Sequence, residues 1–181
     1  MRCASCSWAH SSGSAHDTSS RFLLIPRIAT PLDVAEIVRV TNAAYVVESF
    51  FINGTRTDED EVGCLIALPQ STFLVIDDPE TPGRLRASVH ARIDGGTGYF
   101  AMLAVDPPHQ GTGLARHLIQ VIEDHCRRAG CSRLDFDIIN LRTELPAFYA
   151  RFGFVQVGTA EMGDRHKLKQ PCYRLTMSKS L

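Results

Sequence analysis

A strand, a glycine-containing loop, an amphipathic helix and a second strand follow one another in the middle of the chain. Apolar residues over 114–126 recur at i, i+3, i+4 and i+7, which predicts a helix buried along one face. Gly130 supplies its C-terminal stop. The flanking segments 99–105 and 133–139 have the length and apolar content of strands. A strand–helix–strand unit of this kind predicts a sheet covered by helices.

Further elements are predicted on both sides of this unit. The remaining strands are expected at 22–25, 72–77, 84–94, 154–157 and 172–177, and the remaining helices at 31–45, 58–68 and 142–152. Thr30 and Pro31 are a typical cap and first residue for the earliest helix. The order β α α β β β α β α β β predicts an α/β or α+β fold around one mixed sheet.

Length and charge exclude several classes of protein. A chain of 181 residues is expected to form one domain. Its formal net charge of −1 provides no positive field for nucleic acid or an anionic membrane, so neither partner is expected. Six cysteines are spread over a chain too long to need a disulfide framework, and no apolar run is long enough to cross a bilayer. We therefore expect reduced thiols and a cytoplasmic protein.

The N-terminal segment differs from the rest. Residues 1–20 contain seven serines and no Val, Ile, Leu or Phe, so this segment cannot bury enough surface to offset the entropy of ordering. It is expected to be a disordered serine-rich tail, followed by one domain over 21–181. Cys3 and Cys6 have zinc-ligand spacing, but nothing apolar surrounds them, so no metal site is predicted.

The loop over 105–116 leads from a strand into the N-terminus of the clearest helix. Such a junction binds anions, because the first-turn N–H groups lack helical acceptors and the helix dipole favours negative charge. Gly111 and Gly113 leave room for phosphate oxygens beside the backbone. The loop lacks the Gly-Lys-Ser/Thr of a P-loop and the third glycine or alanine of a dinucleotide fingerprint. A phosphorylated ligand of another kind is predicted.

The string Gln110-Gly111-Thr112-Gly113-Leu114-Ala115 fits Gln/Arg-x-x-Gly-x-Gly/Ala. It resembles the pyrophosphate loop of the GNAT family of acetyl-CoA-dependent N-acetyltransferases. Downstream, Asn140 and the string Phe148-Tyr149-Ala150-Arg151-Phe152-Gly153-Phe154 resemble the second cofactor element of that family, although nine positions between Asn140 and Tyr149 exceed the commonest family spacing. The resemblance covers about residues 22–177.

This resemblance implies the GNAT fold, in which a mixed, mostly antiparallel sheet is splayed between two central strands and carries helices on both faces. The acetyl-CoA lies in the splay. The resemblance implies that the main chain of the strand before the loop binds the pantetheine arm and polarises the thioester carbonyl, here at Leu103, Ala104 and Val105. It further implies that Asn140 is a cofactor residue of the second element. The residues of the loop and helix start that it implies for the pyrophosphate are Gln110, Gly111, Thr112, Gly113, Leu114, Ala115 and Arg116.

Acyl transfer to an amine needs a general acid for the departing thiolate and a general base for the amine. Tyr149 is the predicted acid. Glu48, after the first helix, is the preferred base, with His90 and Asp137 as alternatives. Cys126 lies on the core-facing stripe of its helix, which favours direct attack in a ternary complex over a covalent intermediate.

The predicted function is therefore acetyl transfer from acetyl-CoA to a primary amine of a small molecule or a peptide, without a metal. Two other classes stay open. A non-catalytic acyl-CoA sensor or regulatory domain would keep the same loop and fold. A binding module for nucleic acid or a protein partner would use the tail and the basic segment 165–169. The sequence does not name the acceptor, and it leaves a homodimer open.

Overall fold

A computed structural model gives the fold of residues 24–163 and 165–181. The predicted tail, Cys3, Cys6 and the first two residues of the strand predicted at 22–25 lie outside these described residues. The described strands are β1 Arg27–Ile28, β2 Ser71–Asp77, β3 Leu85–Asp94, β4 Thr97–Val105, β5 Arg133–Ile139, β6 Val155–Glu161 and β7 Tyr173–Ser180. The helices are α1 Val34–Tyr45, α2 Glu59–Ala67, α3 Leu114–Arg128 and α4 Leu145–Ala150.

The strands form one sheet in the order β1-β2-β3-β4-β5-β7-β6. Every neighbouring pair is antiparallel except β4 and β5, which run parallel and pair at only three positions, from Thr97 opposite Arg133 to Tyr99 opposite Asp135. Beyond Tyr99 the two central strands separate. The predicted mixed sheet, splayed between two central strands, is confirmed.

Alternate residues of the strands bury apolar side chains on opposite faces of the sheet. On one face, Leu74 and Ile76 of β2 join the core beneath α3. On the other face, Phe73 and Val75 of the same strand pack with residues of α1 and α2. Helices therefore cover both faces, as predicted, and the two cores hold the splayed strands from either side.

The largest differences from the sequence-based expectation concern the first strand, α4, β6 and β7. Leu24 and Ile25 are not in a strand, because the Leu24 carbonyl oxygen lies 3.1 Å from His117 Nε2 of α3 and Ile25 is exposed. The first strand is instead Arg27–Ile28. α4 is shorter than 142–152, since Pro146 lies in its first turn, where its missing N–H costs least. β6 and β7 each extend about three residues beyond their predicted ends.

Four cysteines lie among the described residues, and all of them are free thiols: Cys64, Cys126, Cys131 and Cys172. No helix in the described part of the chain is both long enough and apolar enough to cross a bilayer. Across residues 24–163 and 165–181, no three His, Cys, Asp or Glu side chains are grouped so that they could hold a metal ion.

Candidate active site

A cavity of about 830 Å³ opens where β4 and β5 separate. Its walls come from the C-terminal end of α1, the outer half of β4, the loop into α3, the end of β5 and α4. The splay and the adjoining helix N-terminus therefore face one common space. The sequence-predicted residues that line it are Glu48, Leu103, Val105, Gln110, Gly111, Gly113, Leu114, Ala115, Arg116, Asp137 and Tyr149.

The loop before α3 presents open backbone to this cavity. Gly111 and Gly113 have φ of +77° and +91°, the left-handed region that glycine adopts without strain. A Cβ added at either position would meet no protein atom within 4 Å. Gly113 caps α3, and among the described residues no side chain hydrogen-bonds the first-turn N–H groups. Those unpartnered donors, at the positive end of a 15-residue helix, fit an anionic group.

Side chains hold the loop against the sheet. Gln110 Nε2 donates to the Val105 carbonyl oxygen at 3.1 Å, and Thr112 Oγ1 donates to the His109 carbonyl oxygen at 2.6 Å. Asp106 pairs with Arg39 Nη1 of α1 at 2.9 Å. The Arg39–Asp106 pair joins residues 67 positions apart, and sequence reasoning missed it because no local pattern marks it.

The outer half of β4 has one free backbone edge. In the described structure no residue of β5 pairs with β4 beyond Tyr99. Met102 has a φ of +50°, and the β3–β4 register shifts beside it, so β4 contains a bulge. Leu103 and Val105 point into the cavity, whereas the Ala104 side chain is buried in the core beneath α1. Apart from the Val105 carbonyl oxygen, which accepts the Gln110 hydrogen bond, main-chain groups at this edge are therefore available to a ligand in the splay.

Tyr149, on α4, lies deep in the cavity wall. Its side chain is 7% exposed, and its ring centroid lies 4.3 Å from that of Phe136 and 5.0 Å from that of Phe148. Burial raises the pKa of the Tyr149 hydroxyl, and nearby Tyr45 raises it further. The phenol consequently keeps its proton at neutral pH, and the same rise makes it a weaker acid than an exposed tyrosine.

Glu48 ends the short 3₁₀ turn that follows α1, and it is also 7% exposed. Its Oε1 accepts a hydrogen bond from Arg142 Nη1 at 3.2 Å. Burial raises the pKa of Glu48, while the positive charges of Arg142 and Arg56 oppose that rise. A carboxylate with a raised pKa is a stronger proton acceptor than an exposed glutamate.

The two other candidate bases have different surroundings. His90 does not line the cavity; its Nε2 lies 2.8 Å from Ser71 Oγ, and burial lowers its pKa to about 4. Asp137 does line the cavity, but its carboxylate already accepts hydrogen bonds from Arg174 Nη1 at 3.0 Å and Thr176 Oγ1 at 2.9 Å. Of the three candidate bases, Glu48 has the environment best suited to accept a proton.

Asn140 directly follows β5 and is not one of the residues that line the cavity. Its Oδ1 accepts a hydrogen bond from the Tyr173 N–H at 2.8 Å, and its own N–H donates to the Tyr173 carbonyl oxygen at 3.0 Å. In this structure Asn140 therefore extends the pairing between β5 and β7. The Thr112 and Ala104 side chains also point away from the cavity, so any contact from those two residues would come from their main chain.

The comparisons with known proteins all find similarity to acetyltransferases. The family model described as "Acetyltransferase (GNAT) family" matches residues 40–154. A curated relative, glucosamine 6-phosphate N-acetyltransferase 1 of Oryza sativa subsp. japonica, is 29% identical over 99 residues, which are 51% of this chain and 58% of the relative. The chain thus spans less than two thirds of that protein.

Solved structures resemble the fold over most of the chain. The ribosomal-protein-S18-alanine N-acetyltransferase of Escherichia coli superposes with a TM-score of 0.69 at 14% identity, covering 86% of this chain and 92% of that one. The ribosomal-protein-alanine N-acetyltransferase of Brucella melitensis gives a TM-score of 0.69 at 19% identity, covering 87% and 100%. At these identities the likeness concerns the fold alone.

Proposed function

Because the chain belongs to the GNAT family of acetyltransferases, we propose that it transfers an acetyl group from acetyl-CoA to a primary amine of a small molecule or a peptide. The observation that carries this proposal is that groups suited to anion binding and to proton transfer line one cavity. The N-terminus of α3, which has no side-chain cap and follows two left-handed glycines, lines the same cavity as a buried tyrosine and a buried glutamate. Anion binding and proton transfer can therefore occur in one space.

The cavity fits acetyl-CoA in two respects. The first-turn amides of α3, with Gly111 and Gly113 before them, would bind the pyrophosphate, and Gln110 fixes the loop by its bond to Val105. The free main-chain edge of β4 at 103–105 would bind the pantetheine arm. When bound, acetyl-CoA supplies an electrophilic thioester carbon and a thiol leaving group. For Asn140 we propose an indirect contribution, through the β5–β7 pairing that it extends.

Glu48 is the proposed general base. The amine nitrogen forms its bond to the acetyl carbon while the carbon–sulfur bond breaks, and the nitrogen must lose one proton to yield a neutral amide. Glu48 accepts that proton, directly or through one water. Its hydrogen bond to Arg142 orients the carboxylate, and its burial keeps it basic enough for the task.

Tyr149 is the proposed general acid. The departing sulfur carries the electron pair of the broken bond, and the Tyr149 hydroxyl gives it a proton, so that free CoA leaves as the thiol. The proton held by Glu48 returns to Tyr149 through solvent, and the site is restored. The overall exchange is acetyl-CoA plus amine to amide plus CoA, with no net change in the protein.

A non-catalytic acyl-CoA sensor remains the second candidate, because the anion-binding loop alone would serve it. The two buried, cavity-lining groups favour the enzyme, since a sensor has no need of a proton donor and a proton acceptor in one cavity. Four free thiols in the described chain support a reducing compartment, and we propose the cytoplasm.

The test is thiol release from acetyl-CoA across a panel of amines, together with calorimetric titration of acetyl-CoA. The relatives' names suggest the first acceptors, which are glucosamine 6-phosphate and peptides with N-terminal alanine; amino acids, aminoglycosides and polyamines complete the panel. Acetyl-CoA binding with thiol release from one amine class supports the proposal. Binding without release from any amine would favour the sensor, and absence of binding would exclude both.

A further inference from the structure

Arginines and carboxylates line the part of the cavity outside the pyrophosphate loop, which we call the acceptor end: Arg56, Arg142, Arg174, Glu48 and Asp137. Two ion pairs use both carboxylates, since Arg142 pairs with Glu48 at 3.2 Å and Arg174 pairs with Asp137 at 3.0 Å. The guanidinium of Arg56 belongs to neither pair.

Arg56 lines the cavity and forms no ion pair within the described part of the chain. Its guanidinium carbon lies 5.3 Å from the centroid of the Tyr45 ring, and the residue is half-buried. Its main chain is fixed to α1, because the Arg56 N–H donates to Asn42 Oδ1 at 2.8 Å and Asn42 Nδ2 donates to the Thr57 carbonyl oxygen at 3.0 Å. The Arg56 guanidinium thus lines the cavity on a main chain that is held in place, and none of the described carboxylates lies within ion-pair distance of it.

This guanidinium is close to the groups proposed for proton transfer. Its charge lowers the pKa of Glu48 and of Tyr45, against the larger opposing effect of burial on both. Tyr45 in turn is near enough to Tyr149 to raise its pKa. Arg56, Glu48 and Tyr149 therefore belong to one cluster, and an amine held at Glu48 can extend a second functional group towards Arg56.

We propose that Arg56 binds an anionic group, a phosphate or a carboxylate, on the amine that this site acetylates. The proposal rests on the function proposed above and names its substrate class. The planar guanidinium of Arg56 can donate two parallel hydrogen bonds to either anion, and its contact with the Tyr45 ring holds it in place. A neutral amine of the same shape would leave the guanidinium unpaired, so discrimination of roughly 10²-fold or more is expected.

A purely structural role, in which Arg56 only packs on Tyr45, needs a matched control. Arg92 of β3 provides it, because its guanidinium carbon also lies 5.3 Å from an aromatic centroid, that of Tyr99, while Arg92 itself is exposed and does not line the cavity. Arg92→Gln removes an equivalent cation–π contact. Arg56→Lys keeps the charge but loses the fork.

The first measurement uses inorganic phosphate and acetate as probes of the acceptor end, titrated calorimetrically into protein saturated with CoA. The parent and Arg92→Gln should bind one of the two ions, Arg56→Gln should bind it at least roughly 10-fold more weakly, and Arg56→Lys should fall between. Phosphate binding alone would indicate a phosphorylated amine, and acetate binding alone a carboxylated one. No binding of either ion, or equal binding by Arg56→Gln, would overturn the proposal.

The second measurement compares kcat/KM for paired acceptors, glucosamine 6-phosphate with glucosamine and alanine with alaninamide. Arg56→Gln should lower kcat/KM for the anionic member of the preferred pair by roughly 10²-fold and for its neutral partner by less than about 3-fold. Equal losses on both members would assign Arg56 a structural role only. Acetylation of neutral amines alone would overturn the inference while leaving the proposed function intact, whereas failure of the parent to bind acetyl-CoA would overturn the proposed function itself.

Discussion

Replacing Gly113 by valine tests whether the N-terminus of α3 holds the pyrophosphate. Gly113 has a φ of +91°, and a Cβ built there meets no protein atom within 4 Å. The folding cost is therefore backbone strain without a steric clash, about 1–3 kcal/mol. For a chain of this length each kcal/mol lowers Tm by roughly 2–4 °C. The variant should fold, with a moderately reduced Tm.

Acetyl-CoA affinity should fall by more than stability does. The added methyl groups occupy the open space in front of the first-turn amides, where phosphate oxygens would accept hydrogen bonds. Each hydrogen bond to a charged group contributes about 1.5–3 kcal/mol. Loss of two of them, at about 1.4 kcal/mol per factor of ten, weakens Kd by roughly 10²–10⁴-fold.

Gly83→Val is the matched control. Gly83 has a φ of +81° in the exposed turn between β2 and β3, and a Cβ there also meets nothing within 4 Å. Thermal unfolding and acetyl-CoA titration are measured on the parent and both variants. Both should lose a similar amount of Tm, and only Gly113→Val should lose affinity. If Gly113→Val folds and keeps the parent Kd, the placement of the pyrophosphate at α3 is refuted.

Three further substitutions test the chemistry and the loop. Tyr149→Phe should lower kcat by roughly 10²-fold and leave the acetyl-CoA Kd within a few-fold in calorimetry; an unchanged kcat would remove Tyr149 as the acid. Glu48→Gln should abolish the acid limb of the kcat/KM–pH profile, which in the parent lies above the usual glutamate range because burial raises the pKa of Glu48. The folded state then binds the Glu48 proton more tightly than the unfolded state does. Urea unfolding should therefore show that the parent loses stability relative to Glu48→Gln as the pH rises from the usual glutamate pKa through the raised pKa of Glu48. The opposite trend would contradict the raised pKa. Asp106→Asn breaks the pair with Arg39 and should lower the free energy of unfolding by about 1 kcal/mol and weaken acetyl-CoA binding several-fold, whereas an unchanged Kd would show that the loop needs no such anchor.

Features that neighbouring residues determine were predictable from the sequence. The apolar periodicity over 114–126 predicted α3 because helix packing depends on spacing alone, and Gly130 ends it with a φ of +78°. Gly111 and Gly113 were predicted to leave room for phosphate, and both have left-handed backbone and open space beside them. The family resemblance extended this local prediction to the whole sheet.

Features that depend on distant segments were not predictable. Asn140 matches a family motif, but its side chain bonds the main chain of β7, 33 residues away. The Arg39–Asp106 pair and the approach of Arg56 to Glu48 likewise arise only when α1, β4 and their loops come together. The apolar run at 22–25 has the composition of a strand, yet the carbonyl oxygen of Leu24 contacts α3, because the edge of β2 is already paired with Arg27–Ile28. The amino-acid composition of a segment indicates whether the segment is buried, but it does not indicate which element the segment packs against.

The bulge at Met102 limits the pairing between β4 and β5. Two parallel strands that begin to pair at 97–99 would normally continue, since each further residue gains backbone hydrogen bonds. With a φ of +50°, Met102 breaks the regular pleat of β4 just where pairing with β5 would continue, and its side chain is locked in the core beneath α1. The bulge thus prevents further pairing between β4 and β5, and the left-handed backbone conformation of Met102 costs about 1–3 kcal/mol. The opening between β4 and β5 beyond Tyr99 is the cavity.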